Sequence, residues 1–185
     1  MSALINLLSI LAAVPFFTKR SRKRVRARVK SFFHALPVRR RAASVGRNLY
    51  CASSVRVTRH TELGDHVHFN GAVFYGGGPV KIGSWFHSGE GLKIFTRNHN
   101  YEGEAIPYDE TYVHKPVTIG DCVWIGAYVI LLPGTTIGEG AIIQAGSVVH
   151  GEIPPMAIAG GNPAKVFAWR DKDRYSRLKA EGRFH

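Results

Sequence analysis

The sequence predicts an all-β solenoid, a parallel β-helix whose short strands turn a corner every sixth residue. The first observation behind this is a run of six hexads from Ile119 to Pro154: IGDCVW, IGAYVI, LLPGTT, IGEGAI, IQAGSV and VHGEIP. Their first slots hold Ile119, Ile125, Leu131, Ile137, Ile143 and Val149. In a chain that is 45% apolar, six such hits in succession arise by chance about once per hundred trials. The second slot favours glycine (Gly120, Gly126, Gly138), and the fifth takes Val123, Val129, Thr135, Ala141, Ser147 and Ile153. The second observation is that the same period starts earlier. Val45, Cys51, Val57, Leu63, Phe69 and Tyr75 keep step, the phase slips by one near Gly76-Gly77-Gly78-Pro79, and Ile82, Ser88 and Ile94 resume it. The third is that the register vanishes between His99 and Val117.

A period of six fits neither an amphipathic helix nor a half-buried strand; it fits stacked repeats that place one side chain per face on a common axis. Three faces make a coil of eighteen residues, about five coils in all from Val45 to Pro154, with parallel sheets. Pro154-Pro155 is expected to close the solenoid, and Lys165 to Phe184 to form a terminal helix over the last coil, with opposite charges at helical spacing in DKDRYSRLKAE. The glycines and proline at positions 76–79 mark a bulged corner. The stretch NHNYEGEAIPYDETYVHKP is too long for a corner, and long insertions in repeats are usually functional.

Charge divides the chain. Met1 to Arg59 holds fourteen Lys and Arg and no acid, while the rest holds eleven bases and all thirteen acids. The basicity therefore belongs to an arm, residues 1–44, and the body is near neutral. Ala3 to Phe17 is uncharged and mostly apolar; as a helix it would span roughly 22 Å, short of the ~30 Å hydrocarbon core. Behind it, KRSRKRVRARVK leads into a helix with Val25, Val29, Phe32, Phe33 and Leu36 on one stripe. An apolar plug followed by a cationic amphipathic helix suits a peripheral anchor on an anionic membrane face. The competing reading is a helix packed on the end of the solenoid with a solvated basic face. No nucleic-acid-binding module accompanies the basic run, so no nucleic-acid partner is expected. Cys51 and Cys122 stand far apart, with neither a disulfide framework nor a zinc spacing.

His99 stands where the coil gives way to the long loop, and the loop is followed by Ile119-Gly120 and Val123-Trp124-Ile125-Gly126. This arrangement resembles the hexapeptide-repeat acyltransferases, among them the galactoside, maltose, serine and streptogramin acetyltransferases, across about residues 45–165. The resemblance implies a left-handed β-helix, a homotrimer with active sites between subunits, acetyl-CoA as acyl donor and no required metal. It also implies that His99 is the catalytic base. Histidine suits that task because its ordinary pKa of about 6.5 leaves it mostly neutral near pH 7.

The resemblance assigns the acceptor to Asn70, whose carboxamide both donates and accepts, with Glu102 and Glu104 as groups that orient His99 or bind the acceptor. For the donor it implies Trp124 beside the acyl end, the Ala127 N–H aimed at the thioester oxygen, and Ala145 and Ser147 along the pantetheine arm. Lys165, in AGGNPAK, would meet the nucleotide phosphates. Near His150-Gly151 the chain lacks the Lys or Thr that most relatives carry.

Together these imply an O-acetyltransferase acting on a sugar hydroxyl or lipid-linked saccharide in bacterial cell-surface polysaccharide assembly. It would be cytoplasmic and peripheral on the inner face of the membrane. Transfer to a streptogramin-type xenobiotic or to an amino-sugar nitrogen are alternatives. A zinc solenoid of the γ-carbonic-anhydrase kind is a distant one, because His60, His66, His68, His87 and His114 show no suitable ligand spacing. A non-catalytic scaffold would leave His99, Trp124 and the long loop without a purpose.

Overall fold

The structure, a computed structural model, describes residues 18–185. The apolar stretch Ala3 to Phe17 lies outside the described residues.

The hexads build a prism because two of their six slots point inward. The first-slot residues Ile119, Ile125, Leu131, Ile137, Ile143 and Val149 are each at most 1% exposed, as are the fifth-slot Val123, Val129, Thr135, Ala141 and Ser147. Burying each such aliphatic side chain stabilises by about 1.5–3 kcal/mol. The two hydroxyls in these fifth slots are satisfied inside the prism: Thr135 Oγ1 donates to the Leu132 carbonyl at 2.7 Å and Ser147 Oγ to the Gln144 carbonyl at 2.7 Å.

The strands form three parallel faces. Face one stacks Ser44–Val45, Thr61–Leu63, Val80–Ile82, Val117–Ile119, Thr136–Ile137 and Glu152–Ile153. Face two stacks Tyr50–Cys51, His68–Phe69, His87–Ser88, Trp124–Ile125, Ile142–Ile143 and Ala157–Gly161. Face three stacks Val55–Arg56, Ala72–Tyr75, Leu92–Phe95, Ile130–Leu131 and Val148–Val149. The result is the parallel β-helix expected from the repeats, consistent with the left hand that the resemblance implies, with five full coils and two faces of a sixth. The sixth coil corrects one expectation. Pro154-Pro155 is a corner, and the chain continues along face two to Gly161.

One residue per coil adopts a left-handed backbone at the corner between faces one and two: Asn48, His66, Trp85, Cys122, Gly140 and Met156. Two residues before each of the first five stands a glycine, and it must be one. A Cβ on Gly120 would lie 2.7 Å from Glu139 N, and one on Gly138 would lie 2.4 Å from Pro155 N. Side chains stitch this corner from coil to coil: Asp65 accepts from the Arg47 N–H at 2.7 Å, and Asp121 from the Ser84 N–H at 2.6 Å.

Register shifts sit at corners of altered length. Tyr50 pairs with His68, eighteen residues on, but Val55 pairs with Ala72, only seventeen on. The Asn70-Gly71 corner is thus one residue short, so Phe74 turns inward and Tyr75 faces out to stack on Phe95 at 4.7 Å. Tyr75 was expected inside; the shortened corner is the reason it is not. The corner at 76–79 overcompensates, and Thr61 pairs with Val80, nineteen residues on. Near the end Thr136 pairs with Glu152, sixteen on, so Ile153 takes the first-slot place under Ile137.

Both ends of the prism are capped. Helix α1 (Lys19–Arg41) is opened by Thr18, whose side chain accepts from the Ser21 N–H. It lays Ser31, Ala35 and Val38 on the first coil, and Ser31 Oγ accepts from the Cys51 N–H at 2.9 Å. At the other end the expected helix from Lys165 is replaced by a strand, Ala164–Trp169, that returns antiparallel along Ala157–Gly161. The alternating VFAW run outweighs the helical charge pattern that follows it. Helix α2 (Lys172–Ala180) starts only at Asp171, which caps it by accepting from the Arg174 N–H at 2.9 Å. It has no buried residue. Tyr175 and Lys179 pin it to the prism at Glu139.

Candidate active site

The long insertion is a hairpin. Arg97–His99 pairs antiparallel with Tyr112–His114, so His99 stands opposite Tyr112. Its tip is tied by Asp109, whose carboxylate accepts from the Thr111 N–H at 2.8 Å and the Glu104 N–H at 3.2 Å. The Thr111 hydrogen bonds hold the Asp109 carboxyl below the usual range. The hairpin leaves the prism between the third and fourth coils, because Val80 pairs with Val117 as a direct neighbour.

His99 is exposed and framed by tyrosines. Its ring stacks on Tyr108 at 3.8 Å and lies 4.8 Å from Tyr112, over which the Arg97 guanidinium sits at 4.2 Å. A cleft of about 570 Å³ is lined by His99, Ala105, Tyr108, Asp109, Glu110 and Tyr112. The acidic residues that line this cleft with His99 are Asp109 and Glu110. Glu102 and Glu104 are exposed on the hairpin and do not line this cleft. The sequence reading missed Tyr108, Tyr112, Asp109 and Glu110; three tyrosines within twelve residues of loop was the available signal.

Asn70 sits at the short corner, where its Nδ2 donates to the Ser88 carbonyl at 2.9 Å and its Oδ1 has no partner among the described residues. On the outer side of face two, Tyr50, His68, His87 and Trp124 follow one another in register. His68 lies 4.3 Å from Tyr50 and 4.8 Å from His87, ring to ring. Burial, the larger influence on each, pushes both histidines below their usual pKa. Trp124 is 54% exposed and lines a second cleft of about 680 Å³ with His87, Trp85 and residues of α2 and the tail. Phe184 closes one side by stacking on Trp85 at 4.5 Å. Within one chain the two clefts share no lining residue.

The remaining predicted donor residues lie further along the prism. Ala127 and Ala145 stack on the corner between faces two and three, where the Gly146 N–H donates to the Ala127 carbonyl at 2.8 Å. Neither the Ala127 nor the Ala145 N–H donates to a protein acceptor among the described residues. A corner of small side chains with unpaired donors fits close approach by an amide-bearing arm. Ser147 belongs to the interior: its Oγ accepts from the Gly161 N–H at 3.1 Å, its carbonyl accepts from the Ile130 N–H at 2.9 Å, and only 1% of the residue is exposed to a ligand. Lys165 is exposed at the start of the returning strand.

Other chemistries find less support. Burial pushes the Cys51 thiol up to about 12 and raises Cys122 as well, so neither is an activated thiolate. Among the described residues no three His, Cys, Asp or Glu side chains converge as metal ligands.

The sequence signature of the bacterial transferase hexapeptide family (six repeats) matches residues 116–151. A Staphylococcus aureus protein named "Putative acetyltransferase" is 38% identical over 117 residues, 62% of this chain and 57% of its own length. A Saccharomyces cerevisiae protein with the same kind of name is 40% identical over 105 residues, 56% of this chain and 53% of its own. The chain thus spans little more than half the length of these relatives. A solved maltose O-acetyltransferase from Clostridium difficile 630 is 25% identical, with a TM-score of 0.61 over 92% of this chain and 86% of its own. A hexapeptide-repeat acetyltransferase from Vibrio cholerae complexed with acetyl-CoA gives 0.63 at 23% identity, over 92% and 87%. The repeat signature, the curated relatives and the shared fold agree with the coil geometry: this chain is a parallel β-helix that carries the hexapeptide repeat of transferases in residues 116–151.

Proposed function

We propose that the protein is an acetyl-CoA-dependent O-acetyltransferase with His99 as its general base. The observation that carries the reading is the placement of His99. An exposed imidazole packs against Tyr108 and beside Tyr112 in the lining of a cleft, where the inserted hairpin leaves the prism. Acetyl-CoA, when bound, supplies an acyl carbon activated as a thioester. His99 takes the proton of the acceptor hydroxyl as its oxygen attacks that carbon; the acceptor gains an acetyl ester and the thiol leaves protonated. Tyr108 and Tyr112 hold the imidazole plane, and Ala127 N–H is an unpaired donor of the kind that stabilises a developing oxyanion. Because Trp124 and His99 line different clefts of one chain, the full site is assembled between neighbouring copies, as a homotrimer would provide.

The acceptor we assign is a sugar hydroxyl, on a saccharide of cell-surface polysaccharide assembly presented at the inner membrane face. Asn70 Oδ1 and the exposed tyrosines of the hairpin are suited to it, since aromatic faces and carboxamides both pack against sugar rings. The test is thiol release from acetyl-CoA by the purified chain across hexoses, amino sugars and lipid-linked saccharides. Release that requires a hydroxyl acceptor supports the reading. Release only with amino sugars would make it an N-acetyltransferase, and no release with any acceptor would overturn it.

A further inference from the structure

Helix α1 has two faces, and the prism uses one. Ser31, Ala35 and Val38 are buried against the first coil. At roughly 100° per residue, Val25, Val29, Phe32, Phe33 and Leu36 fall on the opposite side. Among the described residues none of these five is part of the core; Val25, Val29 and Leu36 are half-buried. Phe32 is 63% exposed and Phe33 48%, their rings meeting edge to face at 5.6 Å. Exposed arginines border the stripe, Arg28 and Arg39 on one side and Arg26 on the other, and Arg40 lies on the same face in the last turn. The helix carries eleven Lys and Arg and no acid, and among the described residues no carboxylate pairs with these four arginines.

We propose that this outer face of α1 docks on an anionic lipid bilayer. An apolar stripe edged by long cationic side chains lets aromatic rings enter the acyl boundary while the guanidinium groups reach phosphate headgroups. The charge complementarity favours this occupant over others. A nucleic acid would place phosphates against the centre of the face, where Phe32 and Phe33 offer nothing to pair with them. A protein that engulfs basic amphipathic helices needs their whole circumference, and the Ser31, Ala35 and Val38 side is already taken. The surface gives a physical form to the membrane placement proposed above. It does not depend on the acyl-transfer chemistry, so either can fail alone.

The experiment is co-sedimentation of the full chain with vesicles of phosphatidylcholine, with and without about one third phosphatidylglycerol. Binding is expected to the anionic vesicles only, and to weaken on the order of tenfold as salt rises, because the headgroup attraction is screened. The double variant Phe32→Ser with Phe33→Ser is expected to lose binding by on the order of tenfold with its thermal melting unchanged. If that variant fails to fold, Arg26→Gln with Arg40→Gln carries the test, with weaker anionic binding and a shallower salt dependence. Equal binding to neutral vesicles, undiminished binding by the variants, or binding to duplex DNA in place of vesicles would overturn the proposal. Thiol release on a soluble sugar, measured in parallel, is expected to be the same for wild type and variants.

Discussion

His68 and His87 connect burial to pH dependence. Both are held below their usual pKa, mainly because face two and the C-terminal tail desolvate them. His87 Nε2 lies 2.9 Å from the His185 carbonyl, which favours the protonated form but is outweighed by burial. The groups facing them are Tyr50, Trp124 and His185. A depressed histidine pKa means the unfolded chain binds protons first. Stability is therefore full above about pH 6.5 and falls as pH drops through the folded-state values. Chemical denaturation between pH 5 and 8 is expected to show this decline, and replacing both histidines with glutamine is expected to flatten it. Ser88 gives a prediction of opposite sign. Its hydroxyl is buried in the core with no partner among the described residues. Ser88→Ala is expected to raise unfolding stability by about 1 kcal/mol in the same assay. An unchanged or lowered value would mean that the hydroxyl is satisfied.

At the scale of elements, the coils were legible and the corners were not. Two inward slots out of six leave a strong periodic trace, and every first-slot residue from Ile119 to Val149 is buried as the hexads require. Corner length leaves little trace, because one residue more or less at Asn70-Gly71 changes no composition. It nevertheless turns Tyr75 out and Phe74 in. The hairpin around His99 was hidden for another reason: Arg97–His99 and Tyr112–His114 are exposed on both sides, so no apolar alternation marks them. The strand Ala164–Trp169 was lost to the charged run after it. The glycine column was visible as a preference, and the structure supplies its cause in the close stacking of corners. Gly138→Ala is expected to cost about 1–3 kcal/mol, since its Cβ would meet Pro155 backbone rather than a movable side chain. Urea denaturation reads this directly, and a neutral result would show that the corner yields.

At the scale of the whole molecule, a near-neutral prism carries a basic helix at one end and an antiparallel hairpin with a short helix at the other. The division of charge in the sequence anticipated the first cap as an arm. It could not show that α1 would turn one face to the first coil through Ser31 and leave Phe32 and Phe33 exposed. The candidate site was half legible: the place of His99 follows from where the register stops and its proposed role from the resemblance, whereas its tyrosine frame comes from pairings across the hairpin that no local pattern encodes. Separation of the His99 and Trp124 clefts within one chain predicts that activity tracks assembly. Sedimentation is expected to show three chains, and dilution below the assembly range is expected to abolish turnover. Activity in a stable monomer would refute that arrangement.

The most direct measurement is the rate of thiol release from acetyl-CoA, with the true acceptor, by wild type and His99→Ala at equal folded concentration. A general base contributes about 10²–10⁴-fold, so the variant is expected to fall by that factor with the β-helix intact by circular dichroism. Wild-type turnover from the folded variant would contradict the account.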